Sequence, residues 1–243
     1  MLELGGKNAI VVDDDADLDQ AVAGVLASAF GYAGQKCSAA SRVVVLAGAY
    51  AEFRQRLAAA VESLVVGPPD DAYPTVPPVI SGDAKERITA YMQMGAAEGR
   101  VVARAQVPGG PGHYVAPIVL EGLSRQSRVA REEIFGPVLA LWKADSFTAA
   151  LEIASDSDFA LTGGVFSRNP RHLEEARGKF RVGNLYLNRK TTGAVVGRQP
   201  FGGVNMSGTG DKAGGPDYLL EFMVARSITE DTMRRGFAPV DER

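Results

Sequence analysis

Short apolar, β-branched runs alternate with helical periodicity along almost the whole chain, and this alternation constrains the fold more than any other feature. Asn8–Val12 reads as a strand. Leu18, Ala21, Val22, Val25, Leu26 and Ala29 then recur at helical spacing and make one apolar face. Asp13–Asp15 stand ahead of it as the expected cap. Arg42–Leu46 reads as a second buried strand, and Ala49–Leu64 and Ser81–Gly99 as helices. Val101–Ala103, Val138–Trp142, Leu161–Ser167 and Val182–Leu187 are further strands. Phe147–Ser155 and Pro170–Phe180 are the helices between them, the second with proline in its first turn, where the missing N–H costs little. Tyr114–Leu120 contains Pro117 and is expected to be at best an edge strand. The pattern predicts an α/β fold, an open and mostly parallel sheet with helices on both faces. Active sites in such sheets are expected at the carboxyl ends of the strands. Gly67–Pro78 reads as a loop. Thr191–Gly215 is dense in glycine and too long for a casual connection. Phe222–Ile228 reads as a closing strand, followed by a charged tail from Thr229 to Arg243.

Composition narrows the class of function. With 243 residues and 46% hydrophobic content, the chain can bury one sizeable core or two small ones. A net charge of −3 without a lysine- or arginine-rich run gives no footprint for nucleic acid. No apolar run approaches the ~20 residues of a membrane span, so no membrane partner is expected. The first residues lack the basic and apolar regions of a signal peptide. The single cysteine precludes an internal disulfide and fits a reducing, cytoplasmic setting. With two distant histidines, His113 and His172, no metal site is expected.

That cysteine, Cys37, lies within FGYAGQKCSAASRVVV, residues 30–45. A glycine-containing turn precedes it and a β-branched run follows, which suggests a thiol on a tight turn at the mouth of a strand. Small neighbours leave room for a substrate, and Lys36 favours the nucleophilic thiolate. The alternative is a small buried hydrophobe. Gly208–Ala213, GTGDKA, fits a dinucleotide-binding fingerprint by letter. That fingerprint needs a strand before it and a helix opening on it, and here a loop precedes it, so the match is read as coincidence.

Four motifs occur in one order: LELGGKN at residues 2–8, GQKCSA at 34–39, EEIFGPV at 132–138, and QPFGG with MSG at 199–208. This set resembles the aldehyde dehydrogenase superfamily over nearly the whole chain. NRKTTGAVVGRQ and KAGGPDYLL, within residues 188–220, resemble the branch that oxidises glutamate γ-semialdehyde to glutamate in proline breakdown. The resemblance implies Cys37 as nucleophile and Glu3 as the general base that activates water, with the Gly5–Gly6 pair letting backbone approach the site. It implies NAD as cofactor, with Glu133 at the nicotinamide ribose and Phe135 at the ring. Two adjacent carboxylates repel, so one of Glu132 and Glu133 needs a reason to be there. The alternative for Phe135 is a core phenylalanine in a capped turn. Ser38, Gly193 and Ala194 match positions that hold the substrate's carboxylate, and Phe201 an aromatic on its aliphatic part; the alternatives are a flexible turn and a buried loop anchor. Arg189, Lys190 and Arg198 add positive charge that suits an acidic substrate. The family implies a nucleotide-binding domain ahead of Met1, so the chain reads as a C-terminal catalytic half, with residues 1–218 catalytic and 219–243 a strand and tail. In the family that strand pairs with another subunit, which implies a homo-oligomer; pairing within the chain is the alternative for Phe222–Ile228. Another aldehyde dehydrogenase, or a catalytically silent fragment of one, is the alternative function.

Overall fold

A computed structural model describes residues 1–70 and 76–232, so the predicted loop 67–78 and the tail from Thr229 lie partly outside the described residues. Its centre is a seven-stranded sheet. In chain order the elements begin with β1 (Leu2–Glu3), β2 (Asn8–Val12), α1 (Leu18–Ala29), β3 (Ala40–Leu46), α2 (Ala47–Glu62) and α3 (Gly82–Glu98). They continue with β4 (Arg100–Arg104), β5 (Ile118–Glu121), α4 (Arg128–Arg131), β6 (Val138–Ala144), α5 (Phe147–Ser155) and β7 (Phe159–Ala160). The last are β8 (Thr162–Phe166), α6 (Pro170–Lys179), β9 (Asn184–Leu187), β10 (Val204–Asn205) and β11 (Gly208–Thr209). The sheet order is β4-β5-β6-β3-β2-β8-β9, parallel except where β4 meets β5.

Strand β2 shows why both faces are covered. Its side chains alternate in direction. Ile10 and Val12 join a core with Val25 of α1, Phe53 and Leu57 of α2 and Ile88 of α3. Ala9 and Val11 join a second core with Leu151 of α5 and Ala176 of α6. A strand buried on both faces must be apolar throughout, and NAIVV is buried at every position.

Three local expectations need correction. Ile118–Glu121 is an interior strand between β4 and β6, because Pro117 stops just short of it and its missing N–H is never needed in the ladder. Asp17 rather than Asp13–Asp15 caps α1, accepting from the N–H groups of Asp19 and Gln20. Asp13 is instead buried and accepts from Ser167 Oγ at 2.6 Å, with His172 Nδ1 also 2.6 Å away. Finally, Phe222 closes a short 3₁₀ turn, Pro216–Phe222, and residues 223–232 pair with no strand of this chain among the described residues. Met223, Val224 and Ile228 are exposed, Val224 at 94%. The GTGDKA match falls on β11, which pairs with β1, and no helix opens on it.

Candidate active site

The cysteine turn is built by left-handed backbone. Tyr32, Ala33 and Gly34 all have positive φ, at 60°, 54° and 69°. Non-glycine residues in this region cost of order 1–3 kcal/mol each and persist where the surroundings dictate them. Gly34 is held by steric necessity as well as by its φ, because a Cβ there would collide with the carbonyl of Gly136 in the EEIFGPV loop. The chain then turns through Lys36–Ala39, with Ala39 N–H donating to the Lys36 carbonyl at 2.9 Å, and enters β3. Cys37 is half-buried on this turn.

This places the site at the amino-terminal edge of the sheet, opposite to the expected carboxyl edge. Cys37 precedes β3, Gly5–Gly6 precede β2, and Glu133 and Phe135 precede β6. The carboxyl edge carries the Asp13–Ser167–His172 cluster instead.

Asn8 fastens the pieces together. Its Nδ2 donates to the carbonyls of Cys37 at 2.7 Å and Ala39 at 2.8 Å, and its Oδ1 accepts from Thr162 N–H at 2.9 Å. The Ser38 carbonyl accepts from two buried hydroxyls, Thr162 Oγ1 at 3.3 Å and Thr191 Oγ1 at 3.2 Å. Thr191 N–H in turn donates to Ser28 Oγ of α1 at 3.0 Å. The TTGA loop is thereby tied to the cysteine turn. Thr191 and Thr192 are buried while Gly193, with φ +82°, is exposed and Ala194 half-buried, so the loop is anchored at its start rather than free. Phe201 is half-buried and its backbone pairs with Ala213 at 2.9 and 2.8 Å; it joins the group only through that loop.

Glu3 is exposed and held by the pairing of β1 with β11, with Glu3 opposite Gly208. Glu133 Oε1 accepts from Gly6 N–H at 2.8 Å. The close approach predicted for Gly5–Gly6 is present: a Cβ on Gly6 would lie 2.6 Å from the Cys37 carbonyl, and one on Gly5 would strike the Glu133 carboxylate. The paired carboxylates are explained separately. Glu132 is bound by Arg128 Nε at 2.7 Å and by the Tyr91 hydroxyl, which hold its carboxyl down to about 2. Glu133 is thus the one left free of an arginine, with its carboxylate on the N–H of Gly6. Phe135 is 41% exposed at φ +55°, and Ile134 takes the core place beside it, so the core reading of Phe135 does not hold.

Burial pushes the Cys37 thiol up, and the Glu133 and Glu3 carboxylates push it further; the Ser38 and Cys37 N–H groups oppose them. Beside this turn lies a cavity of about 520 Å³ lined by Leu26, Phe30, Lys36, Lys190 and Thr192, an apolar body with two ammonium groups. Sequence reasoning missed Asn8, Thr162 and Thr191. The signal for Asn8 was a polar residue opening an otherwise apolar strand, which requires partners when buried. Among the described residues no cluster of histidine, cysteine, aspartate and glutamate could hold a metal ion, and no helix is long and apolar enough to cross a membrane.

A half-buried thiol stands on a turn at the amino edge of a mainly parallel sheet, and the carboxylates of Glu133 and Glu3 act on it. The model of the aldehyde dehydrogenase family matches residues 1–228, and the chain belongs to that family. Within it, the chain is 47% identical over 228 residues to a 1-pyrroline-5-carboxylate dehydrogenase of Geobacillus sp. (strain WCH70), a match covering 94% of this chain and 44% of that relative. The chain therefore spans less than half the length of this curated relative. Its fold superposes on proline utilization A (PutA) from Bdellovibrio bacteriovorus, inactivated by N-propargylglycine, with a TM-score of 0.93 and 46% identity, covering 98% of this chain and 25% of the other. It superposes on 1-pyrroline-5-carboxylate dehydrogenase from Thermus with bound NAD with a TM-score of 0.87 and 48% identity, covering 90% and 42%.

Proposed function

We propose that this chain is the catalytic part of an NAD-dependent enzyme that oxidises glutamate γ-semialdehyde, the open form of 1-pyrroline-5-carboxylate, to glutamate. The observation that carries the reading is the Ser38 carbonyl, which accepts from Thr162 and Thr191 and so sets the TTGA loop beside the cysteine turn. We assign the distal carboxylate of an aldehyde at Cys37 to Ser38 and the N–H groups of Gly193 and Ala194, and its aliphatic part to Phe201. Backbone N–H groups in a glycine turn suit an anion, and Lys36 and Lys190 at the adjoining cavity favour an acidic substrate.

The Cys37 thiolate attacks the aldehyde carbon to give a thiohemiacetal, whose developing oxyanion is met by the Cys37 N–H. NAD, when bound, supplies the acceptor for the hydride that leaves that carbon. Glu133 and Phe135 fit its nicotinamide end: a carboxylate can accept from ribose hydroxyls, and an exposed ring can pack on the nicotinamide. A thioester on Cys37 remains. Glu3 takes a proton from water as that water attacks the thioester carbonyl, and the Cys37 thiolate leaves as glutamate forms. We assign residues 1–218 to this chemistry and 219–243 to contact with a second subunit in a cytoplasmic homo-oligomer. The exposed apolar side chains of 219–228 support that assignment.

The test is reduction of NAD by this chain with 1-pyrroline-5-carboxylate, beside a Cys37→Ser form and with succinate semialdehyde for comparison. Turnover that needs Cys37 and favours 1-pyrroline-5-carboxylate is expected once the nucleotide-binding portion of a relative is supplied. Equal turnover by the serine form sinks the reading.

A further inference from the structure

Two cations lie inside the fold without a counter-charge of their own. Lys7 and Arg42 are 2% and 5% exposed. The Lys7 Nζ has no hydrogen-bond partner among the described residues. Arg42 directs its N–H groups to neutral oxygens. Its Nε donates to the Lys7 carbonyl at 2.9 Å, and Nη1 and Nη2 donate to the carbonyls of Ile153, Ala154 and Asp156 at 2.8–3.3 Å. The neighbouring carboxylates are engaged elsewhere. Asp156 accepts from Arg131 at 2.9 Å, Glu132 from Arg128 and Tyr91, and Glu133 from the Gly6 N–H. Buried charges are ordinarily paired, and no step of the proposed reaction uses these two.

Lys7 and Arg42 line one cavity of about 40 Å³. Lys7 stands two residues before Ala9, which faces the second core with Val11, so strand alternation sends its side chain to that same face. Arg42 alternates likewise with Val44 and Leu46 of the same core. Phe180 and Arg181 stand on the wall with them, and no aspartate or glutamate does. Arg181 is exposed, which gives an ion from solvent a way in. About 10–15 Å³ suffices for one water, so the space takes a few waters or one monatomic ion and no larger ligand. Burial, with Arg42 adding repulsion, pulls Lys7 from an ordinary 10.5 to about 7, against the pull of Glu133 and Glu132. Burial pulls Arg42 to about 10, so the guanidinium keeps its charge at neutral pH.

We propose that this cavity is an internal site for a small monovalent anion such as chloride, held between Lys7, Arg42 and Arg181. The anion is the counter-charge that the wall itself does not provide. With the anion bound, Lys7 keeps its proton. Without it, the ammonium stands unpaired in mild acid and gives up its proton as pH rises through neutrality. Halide therefore binds most tightly below pH 7, and more weakly above it, where only Arg42 and Arg181 still carry charge. The cost of the buried ammonium is borne in full only in the absence of halide.

The test is urea unfolding followed by Trp142 fluorescence, with sodium gluconate exchanged for sodium chloride up to about 0.3 M at constant ionic strength. Gluconate is too large for the cavity. At pH 6 the urea midpoint of the parent should rise by roughly 0.5 M and level off as the site fills. At pH 9 the rise should fall by half or more, and Lys7→Met should lose most of it at either pH. No rise at pH 6, an equal rise in Lys7→Met, or a rise as large at pH 9 would each overturn the proposal. Should Lys7→Met fail to fold, crystals of the parent soaked in sodium bromide at pH 6 decide alone. An anomalous bromide peak in the cavity beside the Lys7 Nζ is expected. Water in its place, or bromide at the outer surface as an adventitious ion only, would overturn the proposal.

Discussion

Replacing Lys7 by methionine should stabilise the protein in mild acid, an unusual outcome for a core substitution. Methionine keeps the length of the side chain and removes the charge. Lys7 titrates near 10.5 in the unfolded chain and near 7 in the folded one, so below pH 7 both states hold the proton and the folded state bears the whole cost of a buried charge. At about 1.36 kcal/mol per pH unit, that cost is on the order of 4–5 kcal/mol, and relaxation around the site brings the expected gain nearer 2–4 kcal/mol. Between pH 7 and 10.5 the folded state has lost the proton and the unfolded state has not. The parent therefore gains stability as pH rises through this window, and the cost is gone above it. Urea unfolding followed by Trp142, the single tryptophan, compares both forms at pH 6 and pH 9.5. Its indole N–H donates to the Leu123 carbonyl at 3.0 Å, so its emission reports the native packing of β6. The advantage of Lys7→Met should shrink by about 2–3 kcal/mol from pH 6 to pH 9.5. A gap of constant size, or a variant less stable than the parent at pH 6, would refute the argument.

Arg42→Met should behave in the opposite way. The guanidinium satisfies the carbonyls of Lys7, Ile153, Ala154 and Asp156, three of them at or just past the end of α5, and its loss should cost about 3–5 kcal/mol in the same urea assay. Asn8→Ala breaks the ties to Cys37, Ala39 and Thr162; about 2–3 kcal/mol of stability should go, and amide exchange should speed up in 36–40 more than in β6. Gly34→Ala should cost more than about 2 kcal/mol by thermal unfolding, because the new methyl meets the Gly136 carbonyl at φ +69°. Gly31→Ala, three residues earlier, meets nothing within 4 Å and should cost under about 1 kcal/mol.

The local periodicities and the motif order were enough for the layered sheet, the strands and helices around it, and the family. NAIVV, for example, could be nothing but a strand covered on both faces, since a run without a polar side cannot face water. Phe147–Ser155 was legible to the residue for the same kind of reason, its apolar period being local. Tertiary structure decided what depends on distant partners. Pro117 suggested an edge, yet Ile118–Glu121 is interior, because β4 folds back on its far side. Asp13 has the chemistry of a cap but is buried against Ser167 and His172, residues more than 150 positions away. The amino edge became the site because left-handed backbone at Tyr32–Gly34 and the bonds from Asn8 and Thr191 converge on the turn before β3. No residue in that turn encodes the convergence by itself. Lys7 shows the same division: its letter is an ordinary surface lysine's, and only the packing just ahead of β2 strips it of water and leaves its Nζ without a partner among the described residues.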